Sequence, residues 1–267
     1  GIVMESKAVS RKTLRERVYE ALRAEIISGD IFPGQSLTLK SLSEQFGVSI
    51  VPVREALFQL SSEGVVVQRS NRDYRVATLS PREFTETYRI RNLTEPYLAE
   101  RAFRFRPKEA HIHLRAILNC MRESLGNLKE YIRCNQQFHF TLYSYGKMPV
   151  LMGIISGLWA RIGPYLSIHI ELLEDLATSH DFHEKMLGSF VAGDFETFVH
   201  QLRCDIHESY RALSPLVNQL DAEGSVTTRE AIVARTLATR PRPSGTAEPH
   251  VSAPVEGEVT ENVEWKR

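Results

Sequence analysis

Cysteine is scarce in this chain: three occur in 267 residues, at positions 120, 134 and 204. An odd number, widely spaced within helical patterns, argues against a disulfide framework and for a reducing compartment. An excess of charge of one sign is also missing, since 33 Lys and Arg balance 33 Asp and Glu. Residues 1–80 hold only 11 basic against 9 acidic side chains. That excludes a broad positive field, so any nucleic-acid affinity must come from a few placed cations and from avidity. No uninterrupted apolar run of membrane-spanning length occurs. The richest stretch, 150–166, is broken by Gly153, Gly157, Arg161 and Pro164 and reads as a buried helix. No secretion signal is expected at the start, so the sequon at Asn92 carries no weight, and the expected location is cytoplasmic. A Gly-rich phosphate loop, a His-Glu-x-x-His helix and a nucleophile elbow are all lacking, which speaks against an enzyme. What is plentiful is apolar content, 42%, enough for real cores in two ordinary domains.

The most informative run is Gln45-Phe46-Gly47-Val48-Ser49-Ile50-Val51-Pro52-Val53-Arg54-Glu55-Ala56-Leu57. Leu39, Leu42 and Phe46 recur at helical spacing before Gly47 permits a sharp turn. Ser49 stands where it would cap a second helix, with Pro52 in its first turn and Val53, Leu57 and Leu60 on one face. Ser49, Val51 and Arg54 are left for the outer face or the N-terminal end, which in a helix-turn-helix meets base edges in the major groove of double-stranded DNA. Upstream, Val18, Leu22 and Ile26 mark an amphipathic helix over 14–27, closed by Gly29 to Gly34. Downstream, Val65 to Val67 and Tyr74 to Val76 flank a polar stretch that reads as a β-hairpin wing, able to set Arg69 and Arg72 against the backbone or the minor groove.

These residues resemble the GntR family of bacterial transcription regulators. The match rests on Gly-Asp-Ile-Phe-Pro-Gly at 29–34, on Phe-Gly-Val-Ser at 46–49 and on Pro-Val-Arg-Glu-Ala-Leu at 52–57, over roughly residues 12–78. The resemblance implies DNA contacts from Lys40, Ser49 and Arg54. Two positions depart from it: Ile50 where a basic residue is usual, and Asp73 where a wing-tip glycine is usual. The first removes a contact and the second sets a carboxylate near phosphates, so altered operator recognition is expected.

Ser80-Pro81-Arg82-Glu83 is a capping box with proline at the first helical position. From there to about residue 220 the chain reads as helix after helix, over 81–103, 108–125, 128–143, 150–168, 172–192 and 195–220. The expected fold is therefore mainly α: a winged helix-turn-helix over 12–78, then an all-α bundle of six or seven helices over 80–220. Residues 1–11 and the polar stretch 221–267 read as disordered, with one marginal helix at 228–240.

Polar residues in apolar phases carry the chemistry of the bundle. Arg91 and Glu95 share a stripe with Phe84, Tyr88, Leu98 and Ala102, where burial is costly unless each is paired. They either neutralise each other, or Arg91 lines a cavity and grips a carboxylate effector. Arg161, inside the apolar helix, either lines that cavity or snorkels to the surface. Asn135 and His139 lie one turn apart, and His183 and Asp205 also sit in core phases. Together they would hold one divalent ion such as zinc, nickel or manganese. His200 and His207 fall on a polar face, and His180 is expected in a loop or at a helix start. Cys134 and Cys204 point away from the polar residues beside them and read as packing residues.

Residues 80–215 are similar to the FadR C-terminal, or FCD, domain, through Arg91 and Glu95, Phe138-His139, Met148 to Leu151, and the spacing from His183 to Asp194. The resemblance implies a metal held by one aspartate and three histidines. Here Asn135 and Asp205 replace two of those ligands, so the site is either a variant metal site or one that now takes an organic effector directly. The expected protein is a homodimeric regulator, a repressor by family habit. It would read an approximately palindromic operator and answer to a small organic acid. The alternatives are a metal-free acyl or lipid sensor and, last, a metal-dependent enzyme.

Overall fold

A computed structural model describes residues 12–71, 73–172 and 177–223. Arg72, the stretch 1–11 and the tail with its expected helix at 228–240 lie outside the described residues. The first unit contains α1 (Leu14–Ile27), β1 (Ser36–Thr38), α2 (Leu39–Phe46), α3 (Ile50–Ser62), β2 (Val66–Gln68) and β3 (Asp73–Val76). Thr13 and Glu16 close a reciprocal capping box on α1. Gly47, at φ +62°, ends α2 in the left-handed region and turns the chain into α3. Val53, Ala56, Leu57 and Leu60 bury one face of α3 against Val18, Leu22 and Ile26. The strands form an antiparallel sheet in the order β1-β3-β2, with Leu37 opposite Tyr74 and Val66 opposite Val76. The three-residue strand β1 has no counterpart in the sequence reading, being too short for alternation to register.

Six helices follow among the described residues: α4 (Pro81–Phe105), α5 (Ala110–Glu123), α6 (Leu128–Ser144), α7 (Pro149–Leu172), α8 (Ala177–Ala192) and α9 (Phe195–Glu223). The capping box between Ser80 and Glu83 opens α4. A second apolar core, from Leu79 to Leu220, fills the bundle. The Tyr165 hydroxyl on α7 accepts from the Leu79 backbone N–H at 2.7 Å, which anchors the connection between the units.

The first unit also rests on α6 and α7. Arg23 Nη2 donates to the Ser156 carbonyl at 3.0 Å and to its hydroxyl at 2.8 Å, Gln136 Nε2 donates to the Ile27 carbonyl, and Lys129 pairs with Asp30. Gly163 is required at this junction, because a Cβ there would lie 2.6 Å from the Ile27 carbonyl oxygen. One cysteine expectation is corrected. Cys120 on α5 and Cys134 on α6 form a disulfide, their Cα atoms 6.3 Å apart. The α5–α6 hairpin brings them together, and no short sequence spacing signals a contact between two helices.

Candidate functional site

Arg91 and Glu95 sit on the buried stripe of α4, at 2% and 0% exposure. Their pairing, Nε to Oε1 at 2.5 Å, answers only part of the burial cost. Glu95 is further satisfied by the Tyr143 hydroxyl at 2.6 Å and the Trp159 indole N–H at 3.0 Å. Arg91 lies between the faces of Tyr88 and Trp159, its Cζ 4.9 and 4.8 Å from their ring centres. Its Nη1 is buried and has no hydrogen-bond partner among the described residues. The pair therefore neutralises its charge and still leaves one edge of the guanidinium open.

The network continues from Glu95 to the histidines. Tyr143 spends its only proton on Glu95, so toward His139 Nδ1, at 3.3 Å, its oxygen is an acceptor. That arrangement assigns the hydrogen of His139 to Nδ1 and leaves the Nε2 lone pair facing inward. His139 Nε2 lies 3.0 Å from His183 Nε2 and 3.4 Å from Asp205 Oδ2, with His183 Nε2 3.9 Å from Asp205 Oδ1. These three ligand atoms all fall within 4.8 Å of one another. Two imidazole nitrogens and a carboxylate, one nitrogen already turned inward by its outer partner, suit a divalent transition ion. Asn135 is buried one turn before His139 on α6.

Electrostatics point the same way. Burial alone would raise the Asp205 carboxyl, but His183, His139 and Arg91 more than offset it and hold it below its ordinary value. Asp205 is thus a sink for positive charge, whether a proton on imidazole or a metal cation. Burial and then the Glu95 carboxylate push the Tyr143 phenol well above its usual value, so it stays a neutral donor.

Other expected residues lie elsewhere. Arg161 does not join the cluster: its Nη2 lies 3.9 Å from Glu83 Oε1 near the start of α4. Asp194 caps α9, accepting from the Thr197 N–H. His180 lies in the first turn of α8, the helix start that was one of its two expected places, 3.4 Å from Glu184. His200 and His207 are exposed. Tyr143 and Trp159, which complete the network, escaped sequence reasoning because aromatics in core phase read as packing; the signal available was the spacing of four between His139 and Tyr143.

On the first unit, Lys40, Ser49, Val51, Arg54 and Arg69 are all exposed. Lys40, Arg54 and Arg69 make no ion pair among the described residues. Ser49 takes the cap position of α3 but makes no side-chain capping bond, contrary to expectation. Asp73 is also corrected. It lies in β3 rather than at a tip, and its carboxylate accepts from the Ser36 hydroxyl at 2.6 Å, so it is tied into the sheet.

Residues 14–76 match the gntR family of bacterial regulatory proteins, and residues 86–208 match the FCD domain. The HTH-type transcriptional regulator McbR of Escherichia coli K12 is 28% identical over 194 residues, 71% of this chain and 88% of McbR. The transcriptional repressor GlaR of the same organism is 27% identical over 189 residues, 66% of this chain and 84% of GlaR. The solved structure of E. coli McbR/YncC superposes with a TM-score of 0.73 at 27% identity, covering 77% of this chain and 99% of that one. With both matched domains in sequence and these relatives covered over most of their length, the chain belongs to the GntR family, FCD type, and is a DNA-binding transcriptional regulator, not an enzyme.

Proposed function

We propose that the protein is a cytoplasmic, homodimeric repressor. Its unit at 12–78 reads half of an approximately palindromic operator, and its unit at 80–220 binds a small organic-acid effector. Lys40, Ser49, Val51 and Arg54 would meet the major groove, and Arg69 and Arg72 the backbone or minor groove. Two apolar pairs spaced four apart on the surface, Leu93 with Tyr97 on α4 and Val150 with Ile154 on α7, are exposed in the single chain and are surface that a second copy would cover. Repression follows the naming of GlaR.

The observation that carries the effector reading is the open edge of Arg91, whose buried Nη1 has no hydrogen-bond partner among the described residues, in the network that orients His139. His139, His183 and Asp205, with Asn135 beside them, would hold the metal. When bound, the ion supplies a Lewis acid to which a carboxylate effector can chelate. Arg91 would grip the effector's carboxylate through its free edge, and Glu95 holds that guanidinium in place. Effector binding would alter how the first unit rests on α6 and α7, and so the spacing of two DNA-reading heads.

A second reading draws on one distance: 3.0 Å between the two Nε2 atoms is also a hydrogen bond, available when one imidazole carries the proton and no metal is present. In that case an organic acid, or an acyl or lipid ligand, would bind without an ion. Elemental analysis by inductively coupled plasma mass spectrometry separates the two, using protein without a polyhistidine tag. Near-stoichiometric metal in wild type, lost in His139→Ala, is the expected result. Metal absent even after incubation with zinc, nickel and manganese would overturn the metal site and leave the direct effector.

A further inference from the structure

We propose that Cys120 and Cys134 are a peroxide-responsive thiol pair whose oxidation state is sensed at the cleft between α6 and α1. This goes beyond the effector site and leans on the regulator reading at one point: a disulfide in a protein that works on DNA, in a reducing compartment, serves as a switch more often than as a framework. The two sulfurs differ in access, Cys120 being partly exposed and Cys134 fully buried. Arg133 Nη2 lies 3.8 Å from the Cys120 sulfur and 3.7 Å from that of Cys134. Glu130 Oε1 lies 3.6 and 3.8 Å from the same two atoms and is ion-paired with Arg133. In the reduced protein this leaves the Arg133 cation beside the accessible thiol, which favours a nucleophilic thiolate, while the Glu130 carboxylate holds that guanidinium in place and offsets part of its charge.

The chemistry balances with hydrogen peroxide as oxidant. The Cys120 thiolate attacks one peroxide oxygen, the O–O bond breaks, and hydroxide leaves and is protonated to water, giving a sulfenic acid at Cys120. Cys134 then attacks the Cys120 sulfur. The S–O bond breaks and the hydroxyl departs as water with the Cys134 proton. Two thiols lose two electrons in all, and peroxide becomes two waters. A low-molecular-weight thiol reverses the state by exchange, becoming its own disulfide.

The consequence lies in what else α6 carries. Glu130 and Arg133 also line a cleft of about 930 Å³ between α1, α6 and α7, together with Arg23, Lys129, Gln136 and Ser156. Lys129 and Gln136 are α6's own polar contacts with the end of α1, and Asn135 and His139 continue the same helix toward the effector cluster. Linking Cys134 to α5 fixes the segment of α6 that touches both the DNA-reading unit and the metal-ligand group.

The test uses the full chain and needs no DNA, so its failure is distinct from failure of the operator assignment. Reduced protein is treated with hydrogen peroxide, alkylated, and digested without reductant for mass spectrometry, with hydrogen–deuterium exchange run on both forms. We expect the three thiols to fall to one, with Cys204 alkylated and the peptides of Cys120 and Cys134 linked. Exchange should slow in α6 and at the end of α1 on oxidation. Cys120→Ser should lose both effects, and Cys204→Ser should keep both. Failure of the linked peptide to form overturns the proposal. So does a link that leaves exchange at the cleft unchanged, or reduced protein that holds zinc on Cys120, Glu130 and Cys134 and resists peroxide.

Discussion

The two units solve opposite problems with the same helical grammar. In the first, the buried core is apolar throughout, from Val18 to Val76, and every candidate DNA contact among the described residues is exposed. In the second, Arg91, Glu95, Asn135, His139 and His183 are buried inside an otherwise apolar bundle. On the function proposed above, the difference follows from the ligand. A polyanion arrives from outside, and cations held out in water meet it without prior desolvation cost. A small effector must be taken out of water, so its partners are desolvated in advance and held by other protein groups until it comes. Stability and function should therefore be separable in the first unit and entangled in the second.

The largest expected effect comes from removing the group on which the buried network converges. Glu95→Ala strips partners from Arg91, Tyr143 and Trp159 at once and leaves a guanidinium buried without its carboxylate. A loss of about 3–5 kcal/mol is expected in denaturant unfolding. A loss under about 1 kcal/mol would mean that Arg91 is not buried as a charge, and the carboxylate-gripping role would go with it.

Next is alkaline stability, where the buried Tyr165 of the second unit should outweigh Tyr19 of the first, whose phenol burial also pushes up to about 12 but which is only half-buried. Burial pushes the Tyr165 phenol up to about 12, against an ordinary value of 10.0. A raised folded value means that the stabilisation is whole below pH 10 and is lost as pH rises toward 12, because the unfolded chain gives up its proton first. Two units correspond to about 2–3 kcal/mol for this residue. Unfolding midpoints followed across that window should decline in wild type and decline less steeply in Tyr165→Phe; equal slopes would contradict the assignment. Asp205 acts at the other extreme with the opposite sign. Its lowered value contributes stability above the usual Asp range, lost as pH falls through the folded value.

The junction between the units gives an intermediate effect. A methyl at Gly163 would meet the Ile27 backbone, which cannot rotate aside as a side chain can. Gly163→Ala should cost about 1–3 kcal/mol and should raise hydrogen exchange at the end of α1 while leaving the α4 network protected. Uniform loss of protection throughout the bundle would show that Gly163 matters to the core and not to the contact.

The same contrast decides what could be read from sequence. The apolar period and the closing turn specified α1 with the ends it has, because the spacing from Val18 to Ile26 and the Gly29 to Gly34 segment act locally. The buried pair at 91 and 95 was legible for a related reason, as two charges in a phase that should be apolar. What stayed hidden depends on contacts between helices. Tyr143 and Trp159 become network members only when α6 and α7 pack beside α4. Cys120 meets Cys134 only in the α5–α6 hairpin, and Arg161 turns toward Glu83 through the rotation of α7. Periodicity says which face of a helix is buried but not which neighbour it meets.

The smallest expected effect on stability is also the sharpest test of the comparison. Arg54 is exposed, unpaired among the described residues, and points outward from an α3 whose other face is fully buried. Replacing it with alanine removes no core contact, so unfolding free energy should move by less than about 0.5 kcal/mol. Affinity for a duplex selected by this protein from a random-sequence pool should nevertheless fall by about 1–3 kcal/mol, roughly fivefold to a hundredfold, with relaxed preference at the contacted base pair. Base readout predicts that asymmetry, because a bidentate contact on a base edge discriminates between sequences. A phosphate contact would instead weaken every sequence alike and flatten the salt dependence by about one counterion. If selected and scrambled duplexes lose affinity equally in Arg54→Ala, the side chain positions the helix on the backbone. Recognition would then fall to Ser49 and Val51 at its N-terminal end.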